Sequence, residues 1–545
     1  MNNTFSIRLF LKQTILMVTL IMASNTQSIN LPKNVKLAKE QVLREGLIDN
    51  PVTFDPQQAD DAASNSIMLD IYNQLINYDQ KGNVIPGDAK TWDVSLDGKI
   101  VTFHLRTNLK WSDGSKLTAH DYEYAFKRWV NPNIGSNYAY YLALGNVTNA
   151  QKIIDGDEDV DKLGVKALDN NTLQIKLEKP TPYFIKMLGI GYASPVSEKN
   201  CEQWGNKAFK PEHLLSNGAF KLKQWIVNEK AVSERNPFYW DNHDTILNKV
   251  EYRTVNNYAT QVNYYKANDL DTTWTVPMEQ YQTIQKNYSR ELHDIDGLKT
   301  FYLSFNTKKK PLNDLDIRKA LSYGINRQAL TKYVIGMGTK PLFTVVPKLT
   351  SGSINYVPGW SNEKQNELEQ LSIKLLNDKG YSKNNPLVVS ILLPNVNIFK
   401  KSAQAIQAMW ESQLPVKVNL NVVEYKTWLS EEMNKSNDIV FDDWTADFND
   451  PLTFYGIFAS SSLDSSHFSN HEYDTLVSKT FDAKSKKERG FYFIKLAHLI
   501  NKNMNIAPLF SSSLPYLVKP YVKGWVNQNP LEYFYAKNVY ITEHS

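Results

Sequence analysis

The residues best suited to chemistry sit in one short run. Residues 441–451 (FDDWTADFNDP) hold four aspartates and a tryptophan. The run follows Asp438, Ile439, Val440 and Phe441, a short strand candidate. In open α/β sheets, ligands bind beyond the carboxyl ends of the strands. A carboxylate placed there beside an aromatic wall suits an ammonium group. Such a charge-assisted hydrogen bond contributes about 1.5–3 kcal/mol. A solvated acidic loop is the other reading of the same composition.

The signatures of catalysis do not assemble. There is no G-x-S-x-G elbow and no H-E-x-x-H helix. Gly336 to Lys340 (GMGTK) lacks phosphate-loop spacing and follows a helix pattern rather than a strand. Cys201 is the single cysteine, which excludes an intrachain disulfide and any cysteine-cluster metal site. Nothing around it suggests an activated thiol, and a buried inert one is expected. His467 and His471 are four apart but lie in a Ser/Asn-rich stretch, which reads as a surface pair in a loop rather than a metal site.

Several elements must position the acidic run. Val101, Phe103 and Leu105 alternate with polar residues, as do Leu173, Ile175 and Leu177, so both stretches predict half-buried strands. Lys110 to Gly114 (KWSDG) predicts a turn, because Asp-Gly supplies a positive φ cheaply. A helix is predicted over 315–334, capped by Asn313 or Asp314, with Ile317, Leu321 and Leu330 inward. Residues 387–393 form an apolar run. Ala403, Ile406, Trp410 and Leu414 then recur at helical spacing, and Val416, Val418, Leu420 and Val422 alternate. Strand, helix, strand in so short a span predicts a βαβ unit with a parallel pair. The fold class is therefore mixed α/β, as one large body made of lobes.

Composition narrows the partners. A formal charge of +4 over 545 residues gives no nucleic-acid footprint. Twelve Trp, 30 Tyr and 23 Phe can fill a core and also line a ligand site with rings that carry a polar edge. Residues 1–28 read as a secretory signal: Arg8 and Lys12 precede a ten-residue apolar core over 14–23, too short to span a bilayer. No cysteine follows that core, so a lipoprotein is not expected, and no later segment is apolar enough to span a membrane.

Six landmarks in one order resemble the peptide-binding proteins of ABC transporters, extracytoplasmic solute-binding protein family 5. They are VTFHLRTNLKWSDGSKLTAHDY (101–122), Asn217-Gly218-Ala219-Phe220, Asn236-Pro237-Phe238-Tyr239-Trp240, FNTKKKPLNDLDIRKALSYGINR (305–327), Trp444-x-Ala446-Asp447-x-x-Asp450-Pro451, and Leu517-Val518-Lys519-Pro520. The resemblance implies a type II-like periplasmic clamp with an additional peripheral domain. One ligand-binding lobe would comprise 29–73, 198–297 and 515–545, the peripheral domain 74–197, and the second lobe 298–514. A peptide would be enclosed as the lobes close, its main chain added as a strand so that side chains matter little.

By motif position, Asp447 would hold the ligand's α-ammonium, with Trp444 and Thr445 bordering the groove. Tyr138 matches the family's groove tyrosine, Asp60 an acidic residue near the ligand, and Trp274 a position lining the pocket. Tyr138 and Trp274 could equally pack a core. Family members that hold the ligand's carboxylate with arginine do so shortly before the Trp-x-Ala-Asp motif; here 432–443 contain none. Lys400, Lys401 or Lys435 are the nearby cations, and a lysine cannot form a bidentate fork. The added Asp442 and Asp443 hint at an amine-rich ligand. The resemblance implies a monomeric periplasmic protein that delivers oligopeptides to a membrane permease, with no catalytic residue, cofactor, metal or nucleic acid. Alternatives within the family are a murein-tripeptide binder and a haem or metal-chelate binder. The rival from another class is a secreted peptide hydrolase.

Overall fold

The computed structural model describes residues 35–544 apart from 463 and 527. The signal segment expected over 1–28 lies outside the described residues. Three sheets of four or six strands organise the described residues, beside two short two-stranded ones.

Period-two burial builds the first. In Ile100–Leu105, Val101, Phe103 and Leu105 are buried and their neighbours are not. Ala89–Val94 and Thr172–Lys176 flank it antiparallel, and Val165–Asp169 completes four strands. The helix Ala119–Val130 packs against this sheet. It starts with a capping box, in which the Thr118 backbone N–H donates to Asp121 Oδ2 at 2.7 Å. Gly114 takes φ +88° in the expected turn.

The second sheet is assembled from distant segments. Val42–Leu47 lies parallel to Lys249–Thr254, and Lys230–Arg235 and Phe220–Ile226 follow antiparallel. Asp70, buried near the end of the helix Ala62–Ile71, ties this body to the C-terminal tail. It accepts from Tyr252 Oη and from the Ala536 N–H, each at 2.7 Å. Burial pushes its carboxyl up to about 7 despite both bonds.

The third sheet has six strands, in the order Lys340–Pro341, Ile506–Leu517, Leu292–Phe305, Ile439–Thr445, Leu387–Pro394 and Val416–Val423. The predicted βαβ unit is here. Leu387 stands opposite Val416 in a parallel pair, and the helix Asn397–Gln413 connects the two strands. That helix buries Ala403, Ile406 and Trp410, and the Trp410 indole N–H donates to the Leu321 carbonyl at 2.9 Å.

Two expectations change. The helix predicted over 315–334 is broken: Leu315–Tyr323 stops at Gly324, and Asn326 caps a second start by accepting from the Ala329 N–H at 2.8 Å. A short helix and a π turn, Leu330–Ile335, follow. Gly324 packs so closely that a Cβ would come 2.6 Å from Leu414 Cδ1, so tertiary packing and the Asn cap override the helical period. Ile317, Leu321 and Leu330 are nonetheless buried. The strand expected to end at Phe441 runs on to Thr445, because Leu292–Phe305 gives it a partner throughout, from Ile439 opposite Phe305 to Thr445 opposite Lys299.

Leu292–Phe305 and Ile506–Leu517 pair along almost their whole length, with a register break between Asp296 and Thr300. The junctions drawn at 297/298 and 514/515 fall inside these strands. At the break, the Leu298 N–H donates to the Pro530 carbonyl and the Leu298 carbonyl accepts from the Ala446 N–H at 2.8 Å. The C-terminal tail and the acidic run thus meet at one residue. Among the described residues, no helix is long and apolar enough to cross a membrane.

Candidate ligand-binding cleft

Asp447 lies two residues past the strand Ile439–Thr445, in the loop that enters the helix Leu452–Tyr455. Thr453 fixes it. The Asp447 N–H donates to Thr453 Oγ1 at 3.2 Å, and that hydroxyl lies 3.4 Å from Asp447 Oδ2. The Trp444 indole N–H reaches the same hydroxyl at 3.3 Å. One threonine therefore locks tryptophan and aspartate together. Asp447 is half-buried, and burial pushes its carboxyl up to about 6; the Thr453 bond opposes this only in part, and among the described residues no basic side chain offsets it.

Tyrosines face it from the segment before Gly145. Tyr141 Oη donates to the Asp447 carbonyl oxygen at 2.9 Å. Tyr138 stacks at a tilt on Tyr192, ring centres 4.8 Å apart, and Tyr140 lies 5.5 Å away. Burial raises the Tyr138 phenol first, and the charges of Asp447 and Asp60 raise it further. Asp60 is exposed and accepts from Asn137 Nδ2 at 2.6 Å. Asp447, Trp444, Tyr138 and Asp60 thus share one neighbourhood.

Thr445 is exposed and paired in register with Lys299. The opposite edge of its strand is different. The ladder to Leu387–Pro394 covers only Ile439 and Val440, so the stretch from Phe441 to Thr445 has no strand partner on that side among the described residues. An open edge beside an unpaired carboxylate can accept an extended peptide main chain. Trp274 lines a cavity together with Glu45, Glu532 and Tyr533.

Other expectations sort as follows. Asp442 is buried, accepts from Ser304 Oγ at 3.2 Å and from Ser465, and burial pushes its carboxyl up to about 8. Asp443 is paired with Lys299. Both are already engaged, so neither supports an amine-rich ligand. Lys401 is held by Glu279 at 3.0 Å, which takes it from the cations expected near the ligand carboxylate. Burial pushes the Cys201 thiol up to about 11, the chemistry of an inert thiol. His467 sits in a loop at φ +50° and His471 opens the helix His471–Asp482, so the two share no helix face.

The sequence reading missed Thr453, Tyr141, Tyr192 and Tyr533. Three tyrosines in four residues (138, 140, 141) were a visible signal for two-sided use of that segment. Tyr141→Phe removes the donor to the Asp447 carbonyl. It is expected to lower stability by about 0.5–1.5 kcal/mol, read as a shifted urea midpoint with unchanged slope. An unchanged midpoint would show that water replaces the phenol.

Sheet bodies joined by long paired strands, with an acid, a tyrosine cluster and an open strand edge where they meet, define a two-lobed solute-binding clamp. The chain belongs to the bacterial extracellular solute-binding proteins of family 5, whose middle-region model matches residues 83–466. It is 34% identical over 531 residues to the periplasmic oligopeptide-binding protein OppA of Salmonella typhimurium, covering 97% of this chain and 98% of that one. It is also 34% identical over 539 residues to the probable deoxycholate-binding periplasmic protein YgiS of Escherichia coli, covering 98% and 100%. Among solved structures it is similar to the unliganded open form of the periplasmic murein tripeptide-binding protein MppA. The TM-score is 0.86 at 34% identity, covering 94% of this chain and 99% of that one.

Proposed function

We propose that this protein captures oligopeptides between two lobes in the periplasm and passes them to an ABC-transporter permease, as a monomer and without cleaving them. The observation that carries this reading is Asp447: a half-buried carboxylate with no basic partner among the described residues, beside a strand edge that has no strand partner among them from Phe441 to Thr445. Asp447 would neutralise the peptide's α-ammonium, while Trp444, Thr445, Tyr138 and Asp60 border the groove. Family membership and the oligopeptide-binding relative support it. The lobes are 29–73 with 198–297 and 515–545, and 298–514, with 74–197 peripheral; the register break at 297–299 is where hinge motion is expected. Export by the 1–28 signal fits the periplasmic relatives.

The pH dependence follows from linkage. In the free protein the Asp447 carboxyl titrates near 6; a bound ammonium holds it ionised. Peptide binding therefore weakens as pH falls through 6, by about tenfold from pH 7 to pH 5. The ligand-free protein moves oppositely at this group. A carboxyl raised on folding contributes stability below its unfolded value near 3.9 and loses it as pH rises through 6.

Thermal shift with tripeptides, N-acetylated tripeptides, murein tripeptide and deoxycholate tests the reading. Free-amine peptides are expected to raise Tm by mass action and to be recovered intact. A shift with deoxycholate alone, which carries no amine for Asp447, would move the assignment to sterol acids. Cleaved peptides would move it to the hydrolase class.

A further inference from the structure

A second pair of acids has no use in capturing an α-ammonium. Glu45 lies in the strand Val42–Leu47, is 4% exposed, and lines a cavity of about 110 Å³. Among the described residues its one hydrogen-bond donor is Ser66 Oγ, at 3.3 Å to Oε1. Among them no cation offsets its burial, and the charge that acts on it, Asp70, has the same sign. Glu532 faces the same cavity from the C-terminal tail, at φ +60°. Its carboxylate accepts no hydrogen bond among the described residues. The cation that acts on it, Lys299, has its ammonium on Asp443.

Burial pushes Glu45 well above the usual carboxylate range and Glu532 up to about 7. Two ionised carboxylates in one cavity, offset only at Glu532 and there only in part by Lys299, are costly unless a guest brings positive charge. The remaining walls suit such a guest. Trp274, Trp525, Tyr533 and Phe534 present ring faces and edges, which take both an aliphatic stem and a cation. The space suffices for the end of a long side chain, since one water needs only about 10–15 Å³ of such volume.

The cavity adjoins the cleft. The Leu298 N–H donates to the Pro530 carbonyl, two residues before Glu532, and the Leu298 carbonyl accepts from the N–H of Ala446, the neighbour of Asp447. A peptide anchored at Asp447 therefore has this cavity within side-chain reach.

We propose that the cavity is a side-chain subsite for a basic residue of the bound peptide, a lysine or another residue carrying a second amine, with Glu45 and Glu532 as its counter-charges and Trp274, Trp525 and Phe534 as its walls. The inference rests on the peptide-capture reading and adds selectivity to it.

The test uses free-amine tripeptides with lysine, norleucine or glutamate at each position in turn, so that lysine and norleucine differ by the amine alone. Calorimetry on the full protein is expected to show lysine at least tenfold tighter than norleucine at one position, with glutamate weakest there. Glu45→Gln and Glu532→Gln should each shrink that ratio and together bring it towards one, with norleucine affinity changed less than threefold. Equal affinities for lysine and norleucine at every position of the unaltered protein would overturn the subsite while leaving peptide capture standing. A lysine preference that survives the double substitution would overturn the assigned residues. Binding of no tripeptide at all would sink the underlying reading as well. The unaltered protein's ratio decides the matter even where a substitution at buried Glu45 lowers the yield of folded protein.

Discussion

Asp447→Ala is expected to weaken binding of free-amine peptides by about 1.5–3 kcal/mol, roughly 10- to 150-fold in Kd, and to leave N-acetylated peptides nearly unchanged. The size follows from what is lost. An ammonium against a half-buried carboxylate makes a charge-assisted bond in a setting where water competes poorly. The specificity follows from what is kept. Thr453 still anchors the Trp444 indole at 3.3 Å, and Tyr141 still donates to the backbone carbonyl of residue 447, so the loop retains its path. Asp447→Asn sharpens the test because it keeps the shape and removes only the charge. It should also flatten the fall in affinity between pH 7 and pH 5. Calorimetry on matched free and acetylated peptides separates the outcomes. Equal loss for both ligand types would make Asp447 a structural residue of the loop, and the α-ammonium would then have to be held elsewhere.

Local pattern and tertiary context divide the legible from the illegible. The βαβ unit could be read because each part repeats at its own period: Val416, Val418 and Leu420 by twos, Ala403, Ile406 and Trp410 by threes and fours. The break at Gly324 could not be read, since Ile317, Leu321 and Leu330 keep helical spacing across it; the cause is Leu414, ninety residues on. The acidic run was visible as composition, but which aspartate is free was not. Asp442 is spent on serines 304 and 465, Asp443 on Lys299 and Asp450 on Arg489. All of those partners are distant in sequence, so it is the fold that leaves Asp447 with Thr453 alone and no cation among the described residues. Glu45 and Glu532 show the same limit. They are nearly 500 residues apart, and neither is marked by its neighbours, yet strand pairing and the C-terminal tail bring them to one cavity.

Asp450→Ala is expected to cost about 3 kcal/mol of stability, the low end for a broken buried pair, because it leaves two partly buried cations without their counter-charge. Asp450 is 2% exposed. Arg489 grips it with both guanidinium nitrogens, at 2.6 and 2.8 Å, and the Lys186 ammonium stands 3.7 Å away. The same carboxylate accepts from the Leu452 N–H at 3.1 Å, so it also starts the helix that carries Thr453. Lys186 follows the short helix start at Phe184 and further donates to the Asn449 carbonyl at 2.8 Å; beside it, Tyr183 stacks flat on Phe448 at 4.1 Å. Two other parts of the chain, residues 183–186 and Arg489, therefore close on residues 448–450, directly after Asp447. Removing Asp450 should loosen that closure and weaken both free-amine and acetylated peptides, since what is lost is placement rather than charge at the amine. Chemical denaturation reads the stability, and the free-to-acetylated affinity ratio reads the site. A ratio that collapses as it does in Asp447→Ala would show that Asp450 itself faces the ligand. Arg489→Met combined with Asp450→Ala should recover part of the stability lost in Asp450→Ala alone, because the stranded guanidinium goes with its partner. Failure to recover any would mean that the capping of Leu452, not the ion pair, supplies the effect.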